Sequence, residues 1–210
     1  DLKGCDDVAI DNIKLIGSRP NTDGIDLSGC RRVRVARSFL RDGDDCISIK
    51  SPDPGKPTED VMVSDTVCWA TRGGNALELG FELNAPVRGI VFRRCDVIHV
   101  ERGATFGIHV GGPAEVRDVS FEDIRVEDPS EELIDFFIGL SVYSEDCPAK
   151  WNRKSWSNPG RERIPAAKLD TTSSKNFGQW LKLEANEKEG YAGQRGRIQG
   201  VRFNEIRVTA

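Results

Sequence analysis

Two short motifs contain the aspartates that are best placed for chemistry. Asp23 lies in the NTDG motif of residues 21–24, and Asp44 and Asp45 lie in the GDDC motif of residues 43–46. If folding brings the three carboxyl groups together, they cannot all be ionised comfortably, and at least one pKa must rise. A protonated carboxyl beside an ionised one suits hydrolysis of a glycosidic bond, in which an acid protonates the leaving oxygen and a base activates water.

Aspartate is also common in turns, where its side chain bonds the local backbone and tolerates bends. This structural interpretation competes with the catalytic one for every aspartate in the chain. We predict that it applies to five of them: Asp7, Asp42, Asp60, Asp65 and Asp118.

A recurring eight-residue pattern predicts the elements that position the three aspartates. Each copy begins apolar–any–apolar and becomes apolar again after a few variable residues, and copies start at Val8, Val33, Val61, Ile90, Val119 and Val201. The first five copies are separated by 25, 28, 29 and 29 residues. The last separation, 82 residues, leaves room for an insertion.

A second set of short strands interleaves with the first. Period-two alternation, which buries one face of a strand, occurs at 25–27, 47–49, 77–79, 108–110, 138–140 and 181–183. A sandwich of short strands is the alternative, but it does not explain two interleaved patterns with one shared period. Stacked coils do, so we predict an all-β chain folded as a right-handed parallel β-helix, a single domain over residues 1–210.

The β-helix places the two aspartate motifs in consecutive coils. Because coils stack at about 4.8 Å, Asp23 is expected within several Å of Asp44 and Asp45. Strict alternation would direct Asp23 and Asp45 inward, so a bend or bulge must precede each strand.

Three further features shape the predicted domain. We predict that residues 143–197 form a long polar insertion, with one strand at 180–184 rejoining the stack. Cys5 and Cys30 are expected to stack as free thiols one coil apart. Since no capping element precedes the first copy, we expect these coils to be part of a longer helix, or to be covered by a partner.

Composition excludes several classes of function. The chain has 30 basic and 34 acidic residues, a net charge of −4, and no apolar run long enough to span a membrane. The charges are interspersed, which gives no indication of a nucleic-acid or membrane-surface partner. The six cysteines lack metal-type spacing, so we expect no metal and no cofactor.

The two aspartate motifs, with the following Ile47-Ser48-Ile49-Lys50, resemble the polygalacturonase family of glycoside hydrolases, family twenty-eight. The resemblance covers most of residues 1–126. It implies an inverting hydrolase in which Asp44 is the general acid, and Asp23 and Asp45 hold and activate water. It also implies a secreted protein, extracellular or periplasmic, that acts on a polysaccharide or oligosaccharide.

Two departures from the family pattern concern the substrate. The family's Gly-His-Gly is matched by Gly74-Asn75-Ala76, and its Arg-Ile-Lys, which grips the sugar carboxylate, by Gly107-Ile108-His109. With an ordinary pKa near 6.5, His109 would be mostly neutral at pH 7. We therefore expect an α-linked substrate other than unmodified polygalacturonate, bound by residues on the same face of the coils: Lys50, Asn75, Glu78 and His109.

Two other functions stay open. The missing histidine, arginine and lysine favour a non-catalytic carbohydrate-binding or structural β-helix, which the intact aspartates oppose. A polysaccharide lyase or epimerase would require a basic residue that abstracts a proton. A looser similarity to the related dextranase family, which acts on neutral glucans, favours hydrolysis of a neutral polymer.

Overall fold

The computed structural model describes residues 1–139, 141, 143, 144 and 195–209. These residues form sixteen β-strands and no α-helix. Accordingly, the described part of the chain contains no helix that is long and apolar enough to cross a membrane.

Six strands, one from each successive coil, form the first parallel sheet. They are β1 (Leu2–Lys3), β4 (Ile25–Ser28), β7 (Ile47–Ser51), β10 (Leu77–Leu83), β13 (Ala104–Val110) and β15 (Glu132–Ile138). Every neighbouring pair is parallel. A parallel pair requires a long crossover, and here the remaining strands of each coil supply it.

The other ten strands form a second parallel sheet that bends around the coils. One row contains β2 (Asp6–Asp11), β5 (Arg31–Ala36), β8 (Thr58–Ser64), β11 (Val87–Arg93), β14 (Glu115–Val126) and β16 (Arg197–Val208). The next row contains β3 (Lys14–Ile16), β6 (Phe39–Asp42), β9 (Val67–Ala70) and β12 (Asp96–Val100). The chain is a right-handed parallel β-helix, as the repeats predict.

Successive copies of the eight-residue pattern form the second sheet and pair with one another in register. Val61 pairs with Val33 on one side and Ile90 on the other, and Val119 pairs with Val201 across the 82-residue separation. In the earlier coils each repeat divides into two strands, and the residue between them has a left-handed backbone: φ is 51° at Arg37, 52° at Asp65 and 49° at Arg94.

One strand of the first sheet lies earlier than the sequence predicts. The expected strand was 138–140, whereas β15 pairs Ile134 with Phe106 and Phe136 with Ile108. Apolar residues alternate throughout this stretch, so period two alone does not fix the register; pairing with β13 does. Leu140, the strand expected at 180–184 and most of the predicted insertion lie outside the described residues.

The core is a stack of like residues inside the coils. Leu27, Ile49, Leu79 and Ile108 are fully buried in consecutive coils of the first sheet. Phe92 and Phe121 stack with ring centroids 5.2 Å apart. Cys5 and Cys30 are free thiols, as expected, and Cys30 is buried.

Arginine–carboxylate pairs link the coils on the outer surface. Arg31 lies 2.6 Å from Asp6, Arg94 lies 2.6 Å from Asp65, and Arg197 lies 2.8 Å from Glu115. Each pair joins neighbouring coils. Exposed pairs contribute only about 0–1 kcal/mol each.

Candidate active site

The three aspartates of the two motifs lie in turns that precede strands of the first sheet. β4 begins at Ile25 and β7 at Ile47, so the aspartates precede the strands, and strand alternation does not decide which way their side chains point. The turns stack directly: the Gly24 amide donates to the Asp45 carbonyl at 2.8 Å. This is the irregular entry to each strand that the sequence requires.

Asp23 is tied to a lysine from the next coil. Lys50 Nζ lies 3.5 Å from Asp23 Oδ2 and 3.3 Å from Asp26 Oδ2. Burial, followed by the Asp26 charge, raises the pKa of Asp23 to about 6, against the opposing effect of Lys50. Burial also opposes the charge on Lys50, but Glu82 and the aspartates outweigh it and raise the pKa of Lys50. Lys50 therefore balances charge within the cluster.

Asp45 is held from the following coil by Asn75. The Asn75 backbone N–H donates to Asp45 Oδ1 at 2.6 Å, and its side-chain Nδ2 lies 3.3 Å from the same oxygen. Asn75 Oδ1 in turn accepts from the Ala104 amide at 2.7 Å. Burial and the Glu78 charge raise the pKa of Asp45 well above its usual range, while the Asn75 N–H lowers it. Asn75 thus connects three coils and orients one carboxyl.

Of the three aspartates, Asp44 lines an open cleft of about 490 Å³. The cleft is bordered by Pro20, Asn21, Gly43, Asp44, Thr71, Arg72, Gly73, Glu101 and Arg102. Burial raises the pKa of Asp44. Gly74 permits this arrangement: a Cβ there would lie 2.5 Å from Asp44 Oδ1, and its φ of +72° also favours glycine.

Glu78 and His109 lie beneath the surface, not on it. Glu78 is 0% exposed and His109 4%. His109 Nδ1 is 2.7 Å from Glu78 Oε1, its Nε2 is 2.9 Å from Asp135 Oδ2, and its ring stacks on Phe81 at 4.4 Å. Direct contact with a sugar through either His109 nitrogen, as the sequence predicts, would require breaking one of these pairs.

The charge of His109 also differs from the sequence-based expectation. Burial disfavours its cation, but the Glu78 and Asp135 carboxylates outweigh that effect and raise the pKa of His109 to about 9. The ring is therefore a cation at pH 7, not mostly neutral. Since carboxylates of this chain occupy both nitrogens, the positive charge is already neutralised.

Asp42, which sequence analysis assigned to a turn, belongs to the aspartate cluster. It ends β6, is 2% exposed, and its Oδ2 is buried without a hydrogen-bond partner. Burial, followed by the Asp23 charge, raises its pKa to about 7. The other four aspartates have φ values in the left-handed region: Asp7 57°, Asp60 55°, Asp65 52° and Asp118 56°. Asp65 lies between β8 and β9, as the turn interpretation expects, whereas Asp7, Asp60 and Asp118 lie at irregular positions inside β2, β8 and β14.

A family model described as "Glycosyl hydrolases family 28" matches residues 1–135. The chain belongs to glycosyl hydrolases family 28. Relatives within the family include a polygalacturonase of Gossypium barbadense, 27% identical over 82% of this chain and 39% of the relative. A polygalacturonase of Nicotiana tabacum is 31% identical over 66% of this chain and 35% of the relative. An exopolygalacturonase of Arabidopsis thaliana is 31% identical over 61% of this chain and 30% of the relative.

The chain spans less than two fifths of the length of these family 28 relatives. No solved structure gives a significant match. The match over residues 1–135 includes Asp23, Asp44, Asp45, Lys50 and the whole Glu78–His109–Asp135 group.

The site of this family 28 chain holds more carboxyl groups than cations. Asp23, Asp42, Asp44 and Asp45 all have raised pKa values. Among the described residues, Lys50 is the cation that contacts this group, while His109 pairs with Glu78 and Asp135 beside it. Such a cluster retains protons near neutral pH, and its titrations belong to the group as a whole. It can therefore present an acid and a base at the same time.

Proposed function

We propose that this chain carries the catalytic centre of a glycoside hydrolase that cleaves an α-linked polysaccharide with inversion. Asp44 is the general acid that protonates the leaving oxygen. Asp23 and Asp45 hold and activate the attacking water. The observation that carries the proposal is the aspartate cluster itself, with Asp44 alone of the three lining the cleft.

The protonation states support this division of roles. The raised pKa of Asp44 favours the protonated form that a general acid needs. With a pKa of about 6 and Lys50 beside it, Asp23 is ionised above that pH and can accept a proton from water. Asp45, fixed by two donors from Asn75, keeps its orientation while water is bound.

The remaining candidates act indirectly. Lys50 is proposed to favour the ionised form of Asp23, and Asn75 to position Asp45. Glu78 and His109 form a buried pair under the site, and we propose that they support the cluster instead of contacting the sugar.

The prediction that unmodified polygalacturonate is a poor substrate finds no support among the relatives of this chain. The three relatives described above all carry polygalacturonase or exopolygalacturonase in their names. We therefore place polygalacturonate first among candidate substrates, ahead of neutral polymers. Because a hydrolase of a polymer that cannot enter cells must work outside the cell membrane, we expect an extracellular or periplasmic location.

The test is release of reducing ends from polygalacturonate, neutral α-glucans, galactans and rhamnose-containing polymers, with and without a chelator. Hydrolysis that a chelator does not affect, with the initial product anomer inverted by NMR, supports the proposal. An unsaturated, ultraviolet-absorbing product would indicate a lyase. Binding of a polymer without any cleavage would indicate a carbohydrate-binding protein.

A further inference from the structure

Two arginines lie in consecutive coils along one wall of the cleft. Val100 pairs with Ala70, and the Glu101 amide donates to the Ala70 carbonyl at 3.0 Å. Continuing this register by two residues places Arg102 one coil above Arg72, at a rise of about 4.8 Å. Both residues are exposed, and both border the cleft together with Asp44.

Arg72 and Arg102 differ from the arginines that link neighbouring coils through ion pairs. Arg31, Arg94 and Arg197 each contact a carboxylate of the neighbouring coil. Arg72 and Arg102 form no ion pair with any residue that the structure describes. Two guanidinium groups one coil apart repel each other, and an anion between them would remove the repulsion.

The acidic residues nearby are already engaged. Glu101 also borders the cleft, but its Oε2 lies 3.0 Å from His99 Nε2. Glu131 accepts a hydrogen bond from the Gly103 amide at 3.3 Å. The cleft therefore presents two available cations beside the proposed acid.

We propose that Arg72 and Arg102 bind the carboxylate of an acidic sugar unit next to the bond that Asp44 protonates. The inference rests on the proposed function and extends it by assigning residues that select an acidic substrate. A guanidinium matches a carboxylate in a bidentate, planar geometry. The positions 107 and 109, where the family motif carries cations, hold a glycine and a histidine already paired with Glu78 and Asp135.

The experiment measures binding by calorimetry in an Asp44→Asn background, so that turnover does not consume the ligand. The probes are trigalacturonate and its fully methyl-esterified form, which has the same rings but no charge. The variants are Arg72→Gln, Arg102→Gln and the double substitution. Arg34→Gln is the control, because Arg34 is exposed and lies outside the cleft lining.

Loss of a charge-assisted pair should raise the dissociation constant of trigalacturonate about 10-fold to 100-fold in each single variant. The double variant should bind still more weakly. The methyl ester should bind all variants about equally, within about twofold, and Arg34→Gln should match the parent with both probes. Circular dichroism and thermal unfolding confirm that each variant is folded.

Three results would overturn the inference: unchanged trigalacturonate binding in the double variant, an equal loss for the methyl ester, or no binding of trigalacturonate by the parent. Hydrolysis by the chain with Asp44 intact is measured separately. Arginine-dependent binding without hydrolysis of any polymer would retain this inference and end the proposed function. Hydrolysis without arginine-dependent binding would retain the proposed function and end this inference.

Discussion

The backbone amide of Asn75 donates a 2.6 Å hydrogen bond to Oδ1 of Asp45 in the preceding coil. A parallel stack makes this contact possible, because the turn at the start of β10 lies directly above the turn at the start of β7. Asn75 also reaches the coil beyond, through the Ala104 amide. The orientation of a proposed catalytic carboxyl therefore depends on the register of three coils.

Replacing Asn75 by alanine should lower both activity and stability. The substitution keeps the backbone bond to Asp45 but removes the side-chain donor and leaves the buried Ala104 amide without its acceptor. We expect a loss of about 1–3 kcal/mol in the free energy of unfolding and a fall in kcat of about tenfold, since Asp45 loses part of its orientation.

Asn84→Ala is the matched control for that variant. Asn84 is also buried, and its Nδ2 donates to the Pro52 carbonyl at 3.0 Å, away from the aspartates. It should lower stability in denaturant unfolding without lowering kcat. Equal kcat values for Asn75→Ala and the unmodified chain would remove Asn75 from the positioning role.

The acid side of the pH–rate profile should report the titration of the aspartate cluster, in which Asp23 is the proposed base. Asp23 must be ionised to accept a proton, so kcat/KM should fall as pH decreases through about 6, the raised pKa of this group. Lys50 lowers that pKa, so Lys50→Met should move the acid limb to higher pH. Lys14→Met, on the surface of β3, should leave it in place. An acid limb near pH 4 in both the unmodified chain and Lys50→Met would contradict the assignment.

Asp42 should make the fold less stable as pH rises. Its pKa is raised to about 7 in the folded chain, so the folded state holds a proton that the unfolded state releases above about pH 4. Stability is therefore lost between about pH 4 and 7, and Asp42→Asn should recover about 1–4 kcal/mol at pH 8.

The measurement for Asp42 is urea unfolding at pH 4, 6 and 8, with Asp118→Asn, at an exposed position of β14, as the control. The difference between Asp42→Asn and the unmodified chain should increase with pH. A difference that stays constant over this range would show that the Asp42 carboxyl titrates normally.

Gly107 should be required for the buried Glu78–His109 pair. A Cβ at position 107 would lie 1.9 Å from Glu78 Oε2, so Gly107→Ala must displace the glutamate from its place beside His109. We expect a destabilisation of about 1–3 kcal/mol, together with reduced activity. Gly55→Ala, whose nearest neighbour would be Asp53 Oδ1 at 3.6 Å, is the control. If thermal unfolding gave the two variants equal stability, the pair would be dispensable.

The sequence predicts the coils well because their period is fixed by backbone pairing. Val33, Val61, Ile90 and Val119 recur at the spacing of one coil and pair in register. Stacking of the coils also brings Asp23 and Asp45 into adjacent turns. Register within a coil is harder to predict, as β15 shows, because alternating apolar residues on both sides of Ile138 fit a strand equally well.

The burial of Glu78 and His109 could not be predicted from their own strands. Alternation directs both residues away from the core of Leu77, Leu79 and Ile108, which would ordinarily expose them. They are buried because Asp135 of the next coil pairs with His109 and because Gly107 leaves room for the Glu78 carboxylate. Asp42 was missed for a related reason, since its burial depends on the turn that contains Gly24.

The most direct test of the account compares the unmodified chain with Asp44→Asn on polygalacturonate and on an aryl glycoside of the same sugar. A general acid contributes about 10²–10⁴ in rate, so reducing-end release from the polymer should fall by that factor. The aryl glycoside, whose leaving group needs little protonation, should be affected much less, and Asp118→Asn should behave as the unmodified chain. An unchanged rate on the polymer for Asp44→Asn would contradict the assignment of Asp44 as the acid.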